Sequence, residues 1–277
     1  MRPEAEPAQM NAATVQLWLA YPGDLIEDGV AQACEAALGE EERARAARFR
    51  FERGRREYLA TQALARAALS HNHPLPPEAW SFRTNAYGKP AAEPDCGLRF
   101  NLSNCAGLVV CLTARGAEVG VDVEAGARGQ EIIGLAPRVF SRREREQLEV
   151  LPGSERADRA LSLWTLKEAY IKARGMGLNL PLSKFSFLFE GAEGIRLEID
   201  PELEDEAERW RFFLLDHAGH RIAGVVESAL RSSARSGFAA SDADRMERPA
   251  LEIWEARPPL GRALRLPSAG ERWFPRG

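Results

Sequence analysis

Residues 14–20 (TVQLWLA) alternate loosely between apolar and polar positions and run into Tyr21-Pro22-Gly23, which predicts a strand ending in a turn. From Glu40 to Ser70 the period changes to that of a helix, in two segments, EEERARAARF and then RREYLATQALARAAL after Gly54. Leu59, Ala63, Arg66 and Ala67, with Tyr58, Gln62 and Leu69, fall at the three-to-four spacing of a half-buried helix. The Pro-rich stretch HNHPLPPEAW ends it. WSFRTNAYGKP then predicts a strand entering a turn, and RFNLSNCAGLVVCLT and AEVGVDVEAG predict two strands around the turn at Arg115-Gly116.

Beyond that point the order repeats in outline. A helix is predicted near RREREQLEVL and a long one from about Asp158 to Arg174, followed by strands at KFSFLFE, IRLEID, RFFLLD and RIAGVVE. The two halves share element order but no residue-level repeat, which points to an internally duplicated α+β fold. The expected division is a flexible N-terminus (1–13), an N-terminal half (14–115), a C-terminal half (116–228) and a tail (229–277). The tail has nine Arg and six acidic residues and little periodicity, so it is expected to be poorly ordered and dispensable. Its apolar island LEIWEA is the one part placed to dock back on the fold.

Composition narrows the function classes without naming one. The 277 residues carry 37 Lys+Arg against 41 Asp+Glu, a net charge of −4, and 45% are hydrophobic; that excludes global disorder and collagen. The longest apolar run, Gly107 to Ala114, falls far short of the roughly 20 residues that span a bilayer. The start has acids and Pro where a signal peptide needs a basic end and an apolar stretch, so a cytoplasmic protein without a membrane partner is expected. Cys34, Cys96, Cys105 and Cys111 lack C-x-x-C spacing, and His71, His73, His217 and His220 lack a zinc frame. Arg43, Arg45, Arg48, Arg50, Arg53, Arg55 and Arg56 form a basic run against one Glu52, which by default reads as a solvated helix face. In an acidic chain with no recognition motif it does not indicate a nucleic-acid binder.

Two clusters carry chemistry. In Gly120-Val-Asp-Val-Glu124 a strand would turn Val121 and Val123 one way and Asp122 and Glu124 the other, the two acids roughly 6.6 Å apart along the chain. Such a pair either decorates a solvated strand face or grips one hard cation. In Trp164-Thr-Leu-Lys-Glu-Ala-Tyr-Ile-Lys172, helical spacing lines up Trp164, Glu168 and Lys172 on one stripe, with Lys167 to one side. That is either an exposed Glu–Lys pair or a third metal carboxylate flanked by ammoniums suited to a phosphate. Mg²⁺ binds through a few carboxylates and completes its shell with water and phosphate oxygens.

Together, GVDVE and WTLKEAYIKARGMGL, about forty residues apart, resemble the signature of the 4′-phosphopantetheinyl transferases, of the larger surfactin-synthetase-activating type. Ala86-Tyr-Gly-Lys-Pro90 resembles that family's Y-G-K-P turn, Arg99-Phe-Asn-Leu-Ser103 its F-N-x-S segment, and Phe140-Ser-Arg-Arg-Glu144 its F-S-x-x-E stretch. The resemblance spans about residues 14 to 228. It implies two similar α+β halves, each a small antiparallel sheet packed against a long helix, with a coenzyme A cleft between them. It also implies a monomer that transfers the 4′-phosphopantetheine arm of coenzyme A to a serine of an apo acyl or peptidyl carrier protein, releasing adenosine 3′,5′-bisphosphate. The residues carried over are Asp122, Glu124 and Glu168 as ligands of Mg²⁺ (or Mn²⁺), with Glu144 a less certain fourth. Glu168, or a metal-bound water, takes the serine proton; Lys172 and Lys167 bind the phosphates, and Lys172 assists the leaving group. Lys89, Ser103, Asn104, Arg50 and Arg55 bind the nucleotide end. Asn104 and Cys105 stand where the family commonly has His and Ser; an Asn donates a neutral hydrogen bond but cannot become cationic. Two other readings of the acids are a metal-dependent phosphodiesterase or nuclease and a non-catalytic binder of coenzyme A or carrier protein.

Overall fold

The computed structural model describes residues 14–26, 28–191, 194–228, 250–257, 262–266 and 272–274. The expected flexible N-terminus, and tail residues 229–249, 258–261, 267–271 and 275–277, lie outside the described residues. The chain forms two units: one from residues up to 85, 90–116 and the segment around 250–266, the other from 86–89, 117–228 and 272–274.

The first unit is a five-stranded sheet and a helix. Strand β1 (Thr14–Ala20) is antiparallel to β5 (Leu108–Arg115), which is antiparallel to β4 (Leu98–Cys105). The expected single strand from Arg99 to Thr113 is therefore a hairpin. Gly107, at φ 93°, supplies the left-handed residue that reverses the chain between Cys105 and Leu108. Short helices α1 (Asp28–Ala36) and α2 (Glu40–Ala46) precede the 20-residue α3 (Glu52–His71), which packs on β1, β4 and β5. Of the stripe read from the sequence, Leu59, Ala63 and Leu69 lie in the core with Phe100, Val109 and Trp18, joined by Ala60, Leu64 and Ala68, which the stripe did not include, while Tyr58 and Gln62 are half-buried. A separate hairpin of β2 (Ser81–Thr84) and β3 (Pro90–Glu93) closes the described part.

Within the tail, the apolar island LEIWEA docks back on the fold. Residues 250–257 form β11, parallel to β1 with Leu251 opposite Val15 and Ile253 opposite Leu17, and β12 (Arg262–Leu266) extends the same sheet. Leu251, Ile253 and Ala256 are buried, and the Trp254 ring stacks on Trp18 at 5.4 Å. Removing β11 would expose Val15 and Leu17, the partners of Leu251 and Ile253 on β1.

The second unit repeats the scheme with an antiparallel sheet in the order β13 (Arg272–Phe274), β9 (Trp210–His217), β10 (His220–Glu227), β6 (Val119–Ala125). Helix α6 runs 22 residues from Gly153 to Arg174, five residues earlier than expected, and packs on β6 and β10. Gly175 ends it in the left-handed conformation (φ 64°), its N–H donating to the carbonyls of Ile171 and Lys172. Helix α5 (Arg142–Glu149) starts on a capping box, Ser141 accepting from the Glu144 N–H while the Glu144 carboxylate accepts from the Ser141 N–H. The hairpin of β7 (Phe185–Glu190) and β8 (Gly194–Ile199) stands beside it. Helix α4 (Gly129–Val139) went unread because Gly134 and Pro137 interrupt its pattern, although its Ile132 and Val139 are buried.

Candidate active site: the seam of strand β6 and helix α6

Strand β6 is buried on both faces, so its acids are not a solvated face: Asp122 is 5% exposed and Glu124 8%. What brings them against α6 is the residue two positions earlier. A Cβ on Gly120 would stand 2.0 Å from the Ala169 carbonyl oxygen and 2.3 Å from the Ala173 nitrogen, so only glycine lets strand and helix backbones come this close. The period of two then directs Asp122 and Glu124 toward the same helix.

The helix answers with the predicted stripe. Lys172 Nζ donates to Asp122 Oδ1 at 2.7 Å, and Trp164 Nε1 donates to Glu124 Oε1 at 2.8 Å. Glu168, between them on the stripe and half-buried, makes neither contact. Burial first, and then the charges of Asp122 and Glu124, push its carboxyl up to about 7, against the pull of Lys172. The three acids thus share one electrostatic neighbourhood, and the sequence placed Trp164, Glu168 and Lys172 on the correct face.

Whether this set fits a divalent cation depends on its chemistry and its positions. Three carboxylates in one neighbourhood, two of which push Glu168 upward, suit a hard cation, which would relieve their repulsion. As they stand, among the described residues no group of three or more His, Cys, Asp and Glu side chains is placed to hold a metal ion. The reason is visible in the hydrogen bonds: Lys172 holds Asp122, and Glu124 is held from both sides, by Trp164 and by Arg128, whose Nη1 lies 2.6 Å from Oε2. Arg128 escaped the sequence reading. Its signal was there as a cation four residues after Glu124 and three before Glu131.

Two assignments are corrected. Lys167 does not face a ligand: it is 0% exposed, donating to Glu144 Oε2 at 2.8 Å and to the Phe185 carbonyl at 2.7 Å. Desolvation pushes its ammonium downward while Glu144 pulls it back. Glu144, also 0% exposed, accepts from the N–H groups of Ser141 and Phe187, so it is a buried anchor and no metal ligand. The pair ties α6 to the start of α5 and to β7. A one-residue step around the helix separates this tie from the stripe of Glu168.

The nucleotide-end residues divide between the units. Lys89 belongs to the second, donating to Glu118 at 2.6 Å and to the Ala173 carbonyl at 2.8 Å, one turn beyond Glu168 on α6. Arg50, Arg55, Ser103 and Asn104 belong to the first. Ser103 is buried on β4, Asn104 and Arg50 are exposed, and Arg55 pairs with Glu35 at 2.7 Å. Cys34 and Cys111 are buried free thiols, Cys96 and Cys105 are free and half-buried, and burial pushes Cys34 up to about 11. No described helix is long and apolar enough to cross a membrane.

The profile of the 4′-phosphopantetheinyl transferase superfamily matches residues 118–226, the stretch that contains β6, α5 and α6. The 4′-phosphopantetheinyl transferase HetI of Nostoc sp. (strain PCC 7120) is 32% identical over 193 residues, covering 68% of this chain and 79% of that protein. The chain belongs to the 4′-phosphopantetheinyl transferases. A Bacillus subtilis 4′-phosphopantetheinyl transferase is 32% identical over 166 residues, 59% of this chain and 72% of that one. The 4′-phosphopantetheinyl transferase Sfp of Bacillus subtilis (strain 168) is 31% identical over 150 residues, 54% of this chain and 65% of Sfp. In this transferase the seam that Gly120 makes possible is inside the matched region.

Proposed function

We propose that this transferase moves the 4′-phosphopantetheine arm of coenzyme A to a serine hydroxyl of an acyl or peptidyl carrier protein, dependent on Mg²⁺, and releases adenosine 3′,5′-bisphosphate. The observation that carries this reading is the seam in which Asp122, Glu124, Glu168 and Lys172 share one electrostatic neighbourhood inside the segment common to the family. Asp122, Glu124 and Glu168 would hold the cation, with Glu124 leaving Arg128 and Asp122 leaving Lys172. When bound, a divalent cation supplies charge neutralisation at the pyrophosphate.

This chain's residues account for the rest. The serine oxygen forms a bond to the β-phosphorus of coenzyme A, and the bond from that phosphorus to the bridging oxygen breaks. Glu168, on the α6 stripe beside Asp122 and Glu124, would take the serine proton as the general base. Lys172, once free of Asp122, places its ammonium on the departing phosphate, where charge grows. Lys89, Ser103, Arg50 and Arg55 serve the nucleotide end, and Asn104 donates a neutral hydrogen bond there. Lys167 has no part in phosphate binding and keeps α6 in place.

The test is mass spectrometry of several purified apo-carrier proteins incubated with the transferase, coenzyme A and Mg²⁺. The expected result is a carrier heavier by one phosphopantetheine, lost on chelation and lost in Asp122→Ala with the fold retained by circular dichroism. Near-normal modification by Asp122→Ala would remove this acid from the site. Cleavage of coenzyme A with no carrier present would point instead to a phosphodiesterase.

A further inference from the structure

Both carboxylate oxygens of Glu124 are occupied, Oε1 by the Trp164 indole and Oε2 by Arg128. The geometry of Arg128 is unusual for a simple partner. It follows β6 in the short turn Gly126–Arg128 and presents three of its N–H groups to two acids. Nε and Nη2 bind the exposed Glu131 at 3.1 and 2.7 Å, while Nη1 reaches Glu124. The bidentate fork is therefore spent on Glu131, the stronger geometry for a guanidinium, and Glu124 receives a single bond from the third arm. Arg128 can release Glu124 and stay paired.

We propose that Arg128 is a built-in counter-cation that competes with the divalent cation for Glu124, with Glu131 as the site to which it retreats. The inference rests on the cation site proposed above and concerns what sets its affinity. With the site empty, Asp122, Glu124 and Glu168 would repel one another on a buried seam; Lys172 and Arg128 offset that repulsion at opposite ends of it. A divalent cation must then displace a guanidinium from Glu124, which lowers its affinity below what three unpaired carboxylates would give. Arg128 does not touch the reacting atoms. It acts through Glu124 and is a positioning residue.

Two single variants of the full chain give effects of opposite sign. The readout is the dissociation constant for Mn²⁺, from the electron paramagnetic resonance signal of the free ion, without coenzyme A or carrier. Arg128→Gln removes the competitor and should tighten Mn²⁺ binding by about fivefold, which corresponds to about 1 kcal/mol for a part-exposed ion pair. Glu131→Gln removes the retreat, leaves Arg128 on Glu124, and should weaken binding by a smaller factor. Arg128→Lys, which keeps the charge, should stay near the wild type. An affinity unchanged or weakened in Arg128→Gln overturns the proposal, as does tightening in Glu131→Gln. Absence of Mn²⁺ binding by the wild type would overturn the cation site itself, whereas equal binding by the wild type and Arg128→Gln overturns this inference alone.

Discussion

Helix α3 lies on the first sheet through Leu59, Ala63, Leu64 and Ala68 and takes one cation with it, Arg66, at 1% exposure; helix α6 lies on the second through Leu163, Leu166, Ala169 and Ala173 and takes Lys167, at 0%. Arg66 reaches Glu42 at 2.5 Å, and Glu42 is 22% exposed, so that pair touches water. Lys167 and Glu144 are both at 0%. The facing strands differ more. Strand β5, under α3, buries Leu108 to Ala114 with Thr113 as its one hydroxyl, while β6, under α6, sets Asp122 and Glu124 against the helix because Gly120 has no side chain. One architecture is thus used twice, and only the copy whose strand can approach its helix at backbone distance carries a cluster of charges. The fold alone would not have located the chemistry.

The comparison can be broken at its weakest structural point, the tail. Ending the chain before residue 250 removes β11 and β12 from beside β1, and the three-residue β13 from β9, and uncovers the apolar edge that Leu251, Ile253 and Trp254 close. The expected loss is on the order of 5 kcal/mol, at about 1.5 to 3 for each large buried side chain. Amide exchange should become fast in β1 and β5 while β6 and β10 stay protected. Persistent protection in β1 would show that the first unit does not need its C-terminal strand.

The buried cations give the next largest effect. Lys167→Met leaves the Glu144 carboxylate buried without its charge partner and should destabilise the second unit by about 3 to 5 kcal/mol. Arg66→Met should cost less, about 1 to 3 kcal/mol, since Glu42 turns to water. Urea denaturation of both variants measures the difference, and equal losses would mean that the wetness of a partner does not matter here. Gly120→Ala sharpens the point about the seam. Overpacking at this contact should cost about 1 to 3 kcal/mol and move Asp122 and Glu124 off α6, so that transfer falls even where most of the protein is folded. Full activity in Gly120→Ala would show that the strand gives way without disturbing the acids.

The smallest expected effect is a pH dependence confined to the first unit. His71 lies between Trp18, at 5.0 Å, and Trp254, at 4.6 Å, with its Nε2 buried and without a hydrogen-bond partner. Burial lowers its pKa below 6.5, with Glu252 pulling the other way. As pH falls below about 6.5 the unfolded chain takes the proton before the folded one, so stability drops with decreasing pH and levels off below the folded-state pKa. His71→Phe should flatten that slope in melting curves between pH 7 and pH 5. A slope unchanged by the substitution would assign it to other groups.

Much of this was readable before any coordinates. The stripe Trp164–Glu168–Lys172 and the strand pair Asp122–Glu124 follow from periods of 3.6 and 2 that the backbone imposes on any sequence. The motifs between Tyr87 and Leu178 gave the family, and the long helices and the strands of the second half were set by their own apolar spacing. Periodicity gave the direction of each side chain about its own element but not its depth. It placed Lys167 one step from the stripe without revealing that β7 and α5 bury it against Glu144, because that burial is made by residues 18 and 23 positions away. It passed over Arg128, whose role exists only once Glu124 and Glu131 flank it in space. It picked out LEIWEA as an island that could dock but not as the strand of residues 250–257, since a lone strand of eight residues gains its stability only from the neighbours that cover it, and those neighbours, β1 and β12, are found only in the folded sheet.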